Sequence, residues 1–210
     1  MLNYQPNTQF SVFPPAIKHL LIINAIFFLA LANPFLFYIL TEYFALYPLE
    51  YGIMNFPVEG RTFYPWQLVS YMFLHGSLGH VFFNLFALWI FGQNLENLWG
   101  TKRFVTYYFL TGIGAGIIHL LVSGSPVIGA SGAVFGILLA FGMIFPNRHL
   151  YILFLPFPVK AKYFVIFYGV MELSLGISSL QTGIAHFAHL GGMVVGYFLI
   201  KYWKLRTNLE

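Results

Sequence analysis

The sequence predicts an all-α membrane protein, a bundle of six transmembrane helices with a short central fourth helix. Three observations predict it. Hydrophobic residues make up 59% of the 210 residues and charged residues only 8%, against roughly 25% charged in a soluble domain. Six apolar runs approach the roughly 20 residues that a bilayer core requires. The few basic residues fall on one side of the topology that those runs define.

The runs read as helices at 18–40, 76–95, 103–122, 130–146, 163–180 and 184–203, within a single membrane domain spanning 1–210. The first follows a segment to Pro15 that carries no positive charge, and no cleavage site follows a short apolar core. It therefore reads as a retained span and not as a signal peptide, with a kink at Pro34. With both termini cytoplasmic, the inner segments hold Lys18, Lys102, Arg103, Arg148, Lys160, Lys162, Lys201, Lys204 and Arg206. The outer loops hold only Arg61, so nine of the ten basic residues obey the positive-inside rule. Dropping or adding a span scrambles that partition.

Composition also excludes function classes. There is no cysteine, which removes disulfides, zinc–thiolate sites and a thiol nucleophile together without fixing the compartment. The formal charge of +4 is distributed by topology and forms no basic stripe for nucleic acid. The 25 Phe and 14 Tyr suit lipid contact and interfacial belts. No cofactor is expected.

In this topology spans two, four and six all enter from the outer face. His80 and Asn84 near the start of span two, Ser131 at the start of span four and His189 near the start of span six then share one depth. Polar groups at membrane depth are costly and mark functional sites by default. The stretch 131–145 is about 22 Å long, shorter than a hydrocarbon core of about 30 Å. Anchored at its inner end near Pro146 and Arg148, span four stops below the outer surface. Ser131 then lies at the floor of a water-accessible cavity, which the non-helical backbone of 125–129 lines. Gly132 and Gly136 on span four, and Gly192 and Gly196 on span six, form Gly-x-x-x-Gly pairs that let membrane helices meet backbone to backbone. Taken alone, each pair is also an ordinary packing motif.

A serine becomes a nucleophile when a neighbouring base takes its proton and donors face the developing oxyanion. Ser131 and His189 supply nucleophile and general base. The chain contains no aspartate, and its glutamates are Glu42, Glu50, Glu59, Glu96, Glu172 and Glu210. Glu96 falls toward the inner end of span two and Glu172 near the middle of span five, both away from His189. The expected machinery is thus a dyad, with the imidazole oriented by packing against Phe135. His80 and Asn84, spaced i and i+4, share a helix face. With the Ser131 backbone amide they are candidate oxyanion donors, although an isolated Asn is as readily an interhelical contact. His186 and His189 lie one turn apart, but no His-Glu-x-x-His occurs and no carboxylate is expected beside them. No metal site is predicted, and His75, His119 and His149 read as packing or interfacial residues.

Gly129-Ala130-Ser131-Gly132, His80-x-x-x-Asn84 and Ala188-His189-Leu190-Gly191-Gly192, in this arrangement on helices two, four and six, resemble the rhomboid family of intramembrane serine proteases. The resemblance covers about 66–196. It implies a Ser131–His189 dyad and an oxyanion site of His80, Asn84 and the Ser131 amide. It also implies cleavage of single-pass membrane proteins at or near the membrane surface, and a first loop, 41–75 here, lying partly in the outer leaflet. Trp66-Gln67 departs from the Trp-Arg common in that loop, and Phe135 replaces a common tyrosine. Glu96 matches a family glutamate whose expected role is helix anchoring.

Helices hide their peptide bonds, so substrates with helix-weakening residues near the outer surface should be preferred. Membrane lipid is the other expected partner, and span five, with Gly169 and Gly176, is the candidate gate. Two rivals remain. One is a non-catalytic rhomboid-fold client binder, disfavoured because both Ser131 and His189 are kept. The other is a small transporter, disfavoured because the motifs have no second copy. The expected location is a prokaryotic cell membrane, with the site opening outward.

Overall fold

A computed structural model of the chain describes residues 10–48, 62–151, 156–178 and 185–205. The described residues form eight helices: α1 Pro15–Ala30, α2 Pro34–Phe44, α3 Gln67–Ser70, α4 Leu78–Trp99, α5 Thr101–Val122, α6 Ser131–Ile144, α7 Ala161–Ser178 and α8 His186–Tyr202. A 3-10 turn, Tyr71–Phe73, extends α3. Two short strands, β1 His149–Leu150 and β2 Val159–Lys160, pair antiparallel between α6 and α7.

Helices α4 to α8 follow the predicted runs closely; the first run does not. It is two helices and not one kinked span. Asn33 accepts from the Phe35 and Leu36 backbone N–H groups at 3.0 and 3.2 Å, and Pro34 opens α2 at its first position. Proline has no N–H to continue α1 but fits the first turn of a new helix, and asparagine is a preferred cap. Among the described residues only α5 and α7 are by themselves long and apolar enough to cross a membrane. A third span results if α3 with its 3-10 turn and α4, bent by 100° at their break, count as one, and α1 and α6 are shorter apolar helices. Helix lengths alone therefore do not give the six-span count. Part of the first loop, 49–61, lies outside the described residues, and the expectation that this loop enters the outer leaflet falls on those residues in part.

Helix α6 is the centre of the bundle, packed against α4, α5, α7 and α8. Ten of its fourteen residues are buried, as a helix walled on every side requires. At 14 residues it is about 21 Å long, matching the short fourth helix predicted. The expected glycine pairs face each other. A Cβ on Gly192 would collide with the Gly132 carbonyl oxygen, and one on Gly196 would lie 3.5 Å from the Gly136 Cα. The Tyr107 hydroxyl, from α5, donates to the Gly136 carbonyl at 2.9 Å.

Two polar anchors hold the periphery. Glu96, on α4, accepts from the Ala16 and Ile17 backbone N–H groups at 2.8 and 2.9 Å and from the Thr101 hydroxyl at 2.7 Å. A carboxylate thereby caps the positive end of α1, the anchoring role expected of it. Gln67, fully buried, accepts from Tyr47 and Tyr64 N–H at 3.3 and 3.2 Å and donates to the Thr62 carbonyl at 3.4 Å. This amide ties the two described flanks of the first loop together.

The non-helical backbone before α6 is bonded within the protein. Leu46 and Val127 exchange N–H···O=C bonds at 3.0 Å, Gly129 N–H donates to the Tyr71 carbonyl at 2.9 Å, and His119 Nε2 lies 2.8 Å from the Ser125 carbonyl oxygen. Protein partners thus take up groups that the sequence assigned to a cavity wall, and a buried backbone requires such partners.

Candidate active site

Ser131 is the first residue of α6. Gly129 takes a φ of +121°, open to glycine and strained for other residues. Its Cβ position would lie 2.6 Å from His80 Nε2 and 3.8 Å from Ser131 Oγ. The glycine therefore lets the His80 ring and the Ser131 side chain flank one stretch of backbone. Ala130 gives α6 no side-chain cap, so the Ser131 amide is one of the first-turn donors without an intrahelical acceptor.

His189 lies in the first turn of α8, and its Nε2 is 2.8 Å from Ser131 Oγ. The glycine contacts between α6 and α8 allow this approach. The imidazole stacks on Phe135 with ring centroids 4.3 Å apart and planes 6° apart, as the sequence predicts. Ser131 is partly accessible, and His189 is 9% exposed.

The expected absence of a carboxylate beside His189 is overturned. Glu172 Oε2, from α7, lies 2.9 Å from His189 Nδ1 and 2.6 Å from His186 Nδ1. A carboxylate only accepts, so both Nδ1 atoms carry the hydrogens. His189 Nε2 is then the bare nitrogen that receives the Ser131 hydroxyl, the tautomer a general base needs. Among the described residues His186 Nε2 is buried with no hydrogen-bond partner, so the polar role of that ring is concentrated at Nδ1. Spacing along the chain does not find Glu172: it lies six residues before the end of α7, whereas His186 opens α8 and His189 follows three residues later, so equal distance from the connection would set Gly192 opposite it. The signal that remains is its residue type, a carboxylate within an apolar helix.

His80 and Asn84 are brought to the same end of the bundle. Gly76 N–H donates to His80 Nδ1 at 3.4 Å, which leaves the ring hydrogen on Nε2, the atom beside Gly129. His75 meets His80 edge-on at 4.9 Å and approaches the Ala130 N–H through Nε2 at 3.5 Å. Asn84 Nδ2 donates to the His80 carbonyl of its own helix at 2.9 Å, committing one of its two hydrogens. His149 is exposed in β1, and His119 is the loop anchor described above.

Glu172, His186 and His189 are also a possible metal-ligand set, each buried and offering one donor atom, all within 4.8 Å of one another. The sequence pointed away from a metal because it placed no carboxylate here.

The family model for the Rhomboid domain matches residues 62–205. Rhomboid protease GluP of Bacillus subtilis is 31% identical over 134 residues, which is 63% of this chain and 25% of that protein. Rhomboid protein 1, mitochondrial, of Saccharomyces cerevisiae is 30% identical over 152 residues, 69% of this chain and 43% of that protein. Rhomboid-like protein 11, chloroplastic, of Arabidopsis thaliana is 32% identical over 196 residues, 87% of this chain and 65% of that protein. The chain thus spans a quarter to two thirds of the length of these relatives. Mitochondrial and chloroplast proteins stand beside a bacterial one, so the expected prokaryotic origin gains no support.

Proposed function

The chain belongs to the rhomboid family, and from that membership we propose that it is an intramembrane serine endopeptidase. Its substrates are single-pass membrane proteins, cut in or near the outer part of the transmembrane segment. The observation that carries this reading is the 2.8 Å approach of Ser131 Oγ to His189 Nε2, made between two helices that glycine contacts hold together.

The Ser131 hydroxyl proton passes to His189 Nε2 as Oγ attacks the scissile carbonyl carbon. The oxyanion faces the Ser131 N–H, His80 Nε2–H and the remaining Asn84 N–H. Collapse breaks the C–N bond, and His189 returns the proton to the departing amine. Water, deprotonated by the same nitrogen, then releases the acyl chain. Glu172 is a positioning residue in this cycle. It keeps the His189 ring in the receiving tautomer and faces the imidazolium that forms, and Phe135 keeps the ring plane.

In this reading the chain crosses the membrane six times with both ends inside, an arrangement that the distribution of its basic residues supports, and these groups lie toward the outer face. A substrate helix must be unwound before its carbonyls are exposed, which favours glycine, alanine and other helix-weakening residues near the cut. The test is cleavage of a single-pass substrate by the detergent-purified protein. Wild type cleaves, and Ser131→Ala and His189→Ala do not. Cleavage persisting in Ser131→Ala would sink the proposal, and a wild type that binds substrates without cutting any would favour a client-binding protein.

A further inference from the structure

We propose that Glu172, His186 and His189 form a site for one zinc-class divalent cation, and that its occupancy switches off His189 as a base. The second half rests on the serine-protease reading above; the first does not.

The ligand set is two imidazoles and one carboxylate, drawn from α7 and the first turn of α8. This is the donor combination of His₂Glu zinc sites that keep a fourth position for water. Imidazole favours zinc, copper and nickel, whereas magnesium and calcium favour all-oxygen sets. The three donor atoms converge within 4.8 Å. Tetrahedral zinc with bonds near 2.1 Å sets its donors about 3.4 Å apart. Glu172 Oε2, now 2.6 and 2.9 Å from the two rings, therefore needs to draw back by less than about 1 Å, within the reach of side-chain torsions. His186 belongs to this arrangement more than to catalysis. One donor, His189 Nδ1–H, suffices to orient the base, yet a second ring points the same atom at the same carboxylate oxygen.

The consequence for His189 follows from counting its hydrogens. With the Nδ1 lone pair on the cation, the neutral ring carries its single hydrogen on Nε2. That hydrogen then points at Ser131 Oγ, and no lone pair remains to take the serine proton. The tautomer that Glu172 enforces in the metal-free site is reversed by the metal, without any change of the protein's net protonation. Ser131 is left in place but unactivated.

Metal binding is tested first on Ser131→Ala protein in detergent, which needs no activity. Cobalt(II), followed by its visible absorption and by equilibrium dialysis, is expected to bind one ion per chain. Glu172→Gln and His186→Gln, each shown folded by its melting temperature, should weaken binding by more than about tenfold. Zinc should displace the cobalt, and magnesium should not. Zinc at the concentration that fills this site should then block fluorophosphonate labelling of Ser131 in wild type, and a chelator should restore it. In Glu172→Gln and His186→Gln the residual labelling, scaled to each variant's own metal-free rate, should no longer respond to that zinc concentration. No bound cobalt in Ser131→Ala, or equal affinity in both ligand variants, overturns the site. Bound metal with undiminished labelling overturns the switch. A protein that binds cobalt as expected but cleaves no substrate even without metal counts against the protease reading and leaves the site standing.

Discussion

Gly192 of α8 rests directly on the Gly132 carbonyl of α6, with no room between them for a single methyl group. This backbone contact sets the separation of the two helices that bear His189 and Ser131, so fold and chemistry meet there. Gly192→Ala must push α8 away from α6. Overpacking of this kind costs about 1–3 kcal/mol, and here the obstacle is backbone that cannot rotate aside. The expected outcome is a clear fall in thermal midpoint together with loss of fluorophosphonate reactivity. Gly79→Ala, at a position with nothing within 4 Å of the added carbon, provides the comparison and should change neither.

Glu172→Gln removes an acceptor-only group and introduces an amide that can donate to His189 Nδ1, favouring the wrong tautomer. In the Ser-His-Asp protease used as the general precedent, the corresponding change lowers kcat by about 10⁴. A fall in kcat of at least about 10² with KM little changed is expected here. Steady-state kinetics on a single-pass substrate checks it. A KM effect alone would assign Glu172 to substrate binding and not to the base.

His80→Ala and Asn84→Ala are each expected to lower kcat by about 10² to 10³, the usual cost of one oxyanion donor. Because His80 Nε2 would sit 2.6 Å from a Cβ on Gly129, Gly129→Ala should displace that ring and reproduce most of the His80→Ala loss. Comparing kcat of the three variants with that of wild type tests the assignment. If Asn84→Ala alone is neutral, its donation to the His80 carbonyl is its whole role.

Glu96→Ala leaves two N–H groups of the α1 start without their carboxylate. Buried donors so stranded cost about 1–3 kcal/mol each, so a loss of about 2–6 kcal/mol is expected in a reversible unfolding measurement. The rate at which the folded fraction reacts with a fluorophosphonate should be unchanged, because Glu96 lies about 24 Å along α4 from His80, the residue of that helix that flanks the Ser131 backbone.

The residues that head helices were legible in the sequence. Ser131, His189, His80 and Asn84 sit near the starts of their helices, and the glycine pairs beside Ser131 and His189 state how close α6 and α8 come. The partners of Glu172 are not legible, because no count along α7 and α8 sets it opposite His186 and His189. The break at 31–33 was missed because hydropathy ignores capping. Asn33 and Pro34 end one helix and start another without any fall in apolar character. Asn84 bonds back to its own helix, a local competition that residue spacing cannot display.

The central claim is that His189 activates Ser131. Intact-mass measurement of fluorophosphonate adducts tests it most directly, with wild type, Ser131→Ala and His189→Ala reacted side by side in detergent. One adduct per wild-type chain, and none on either variant over the same interval, is the predicted result. Labelling of Ser131→Ala at the wild-type rate, or of His189→Ala at an undiminished rate, would contradict it.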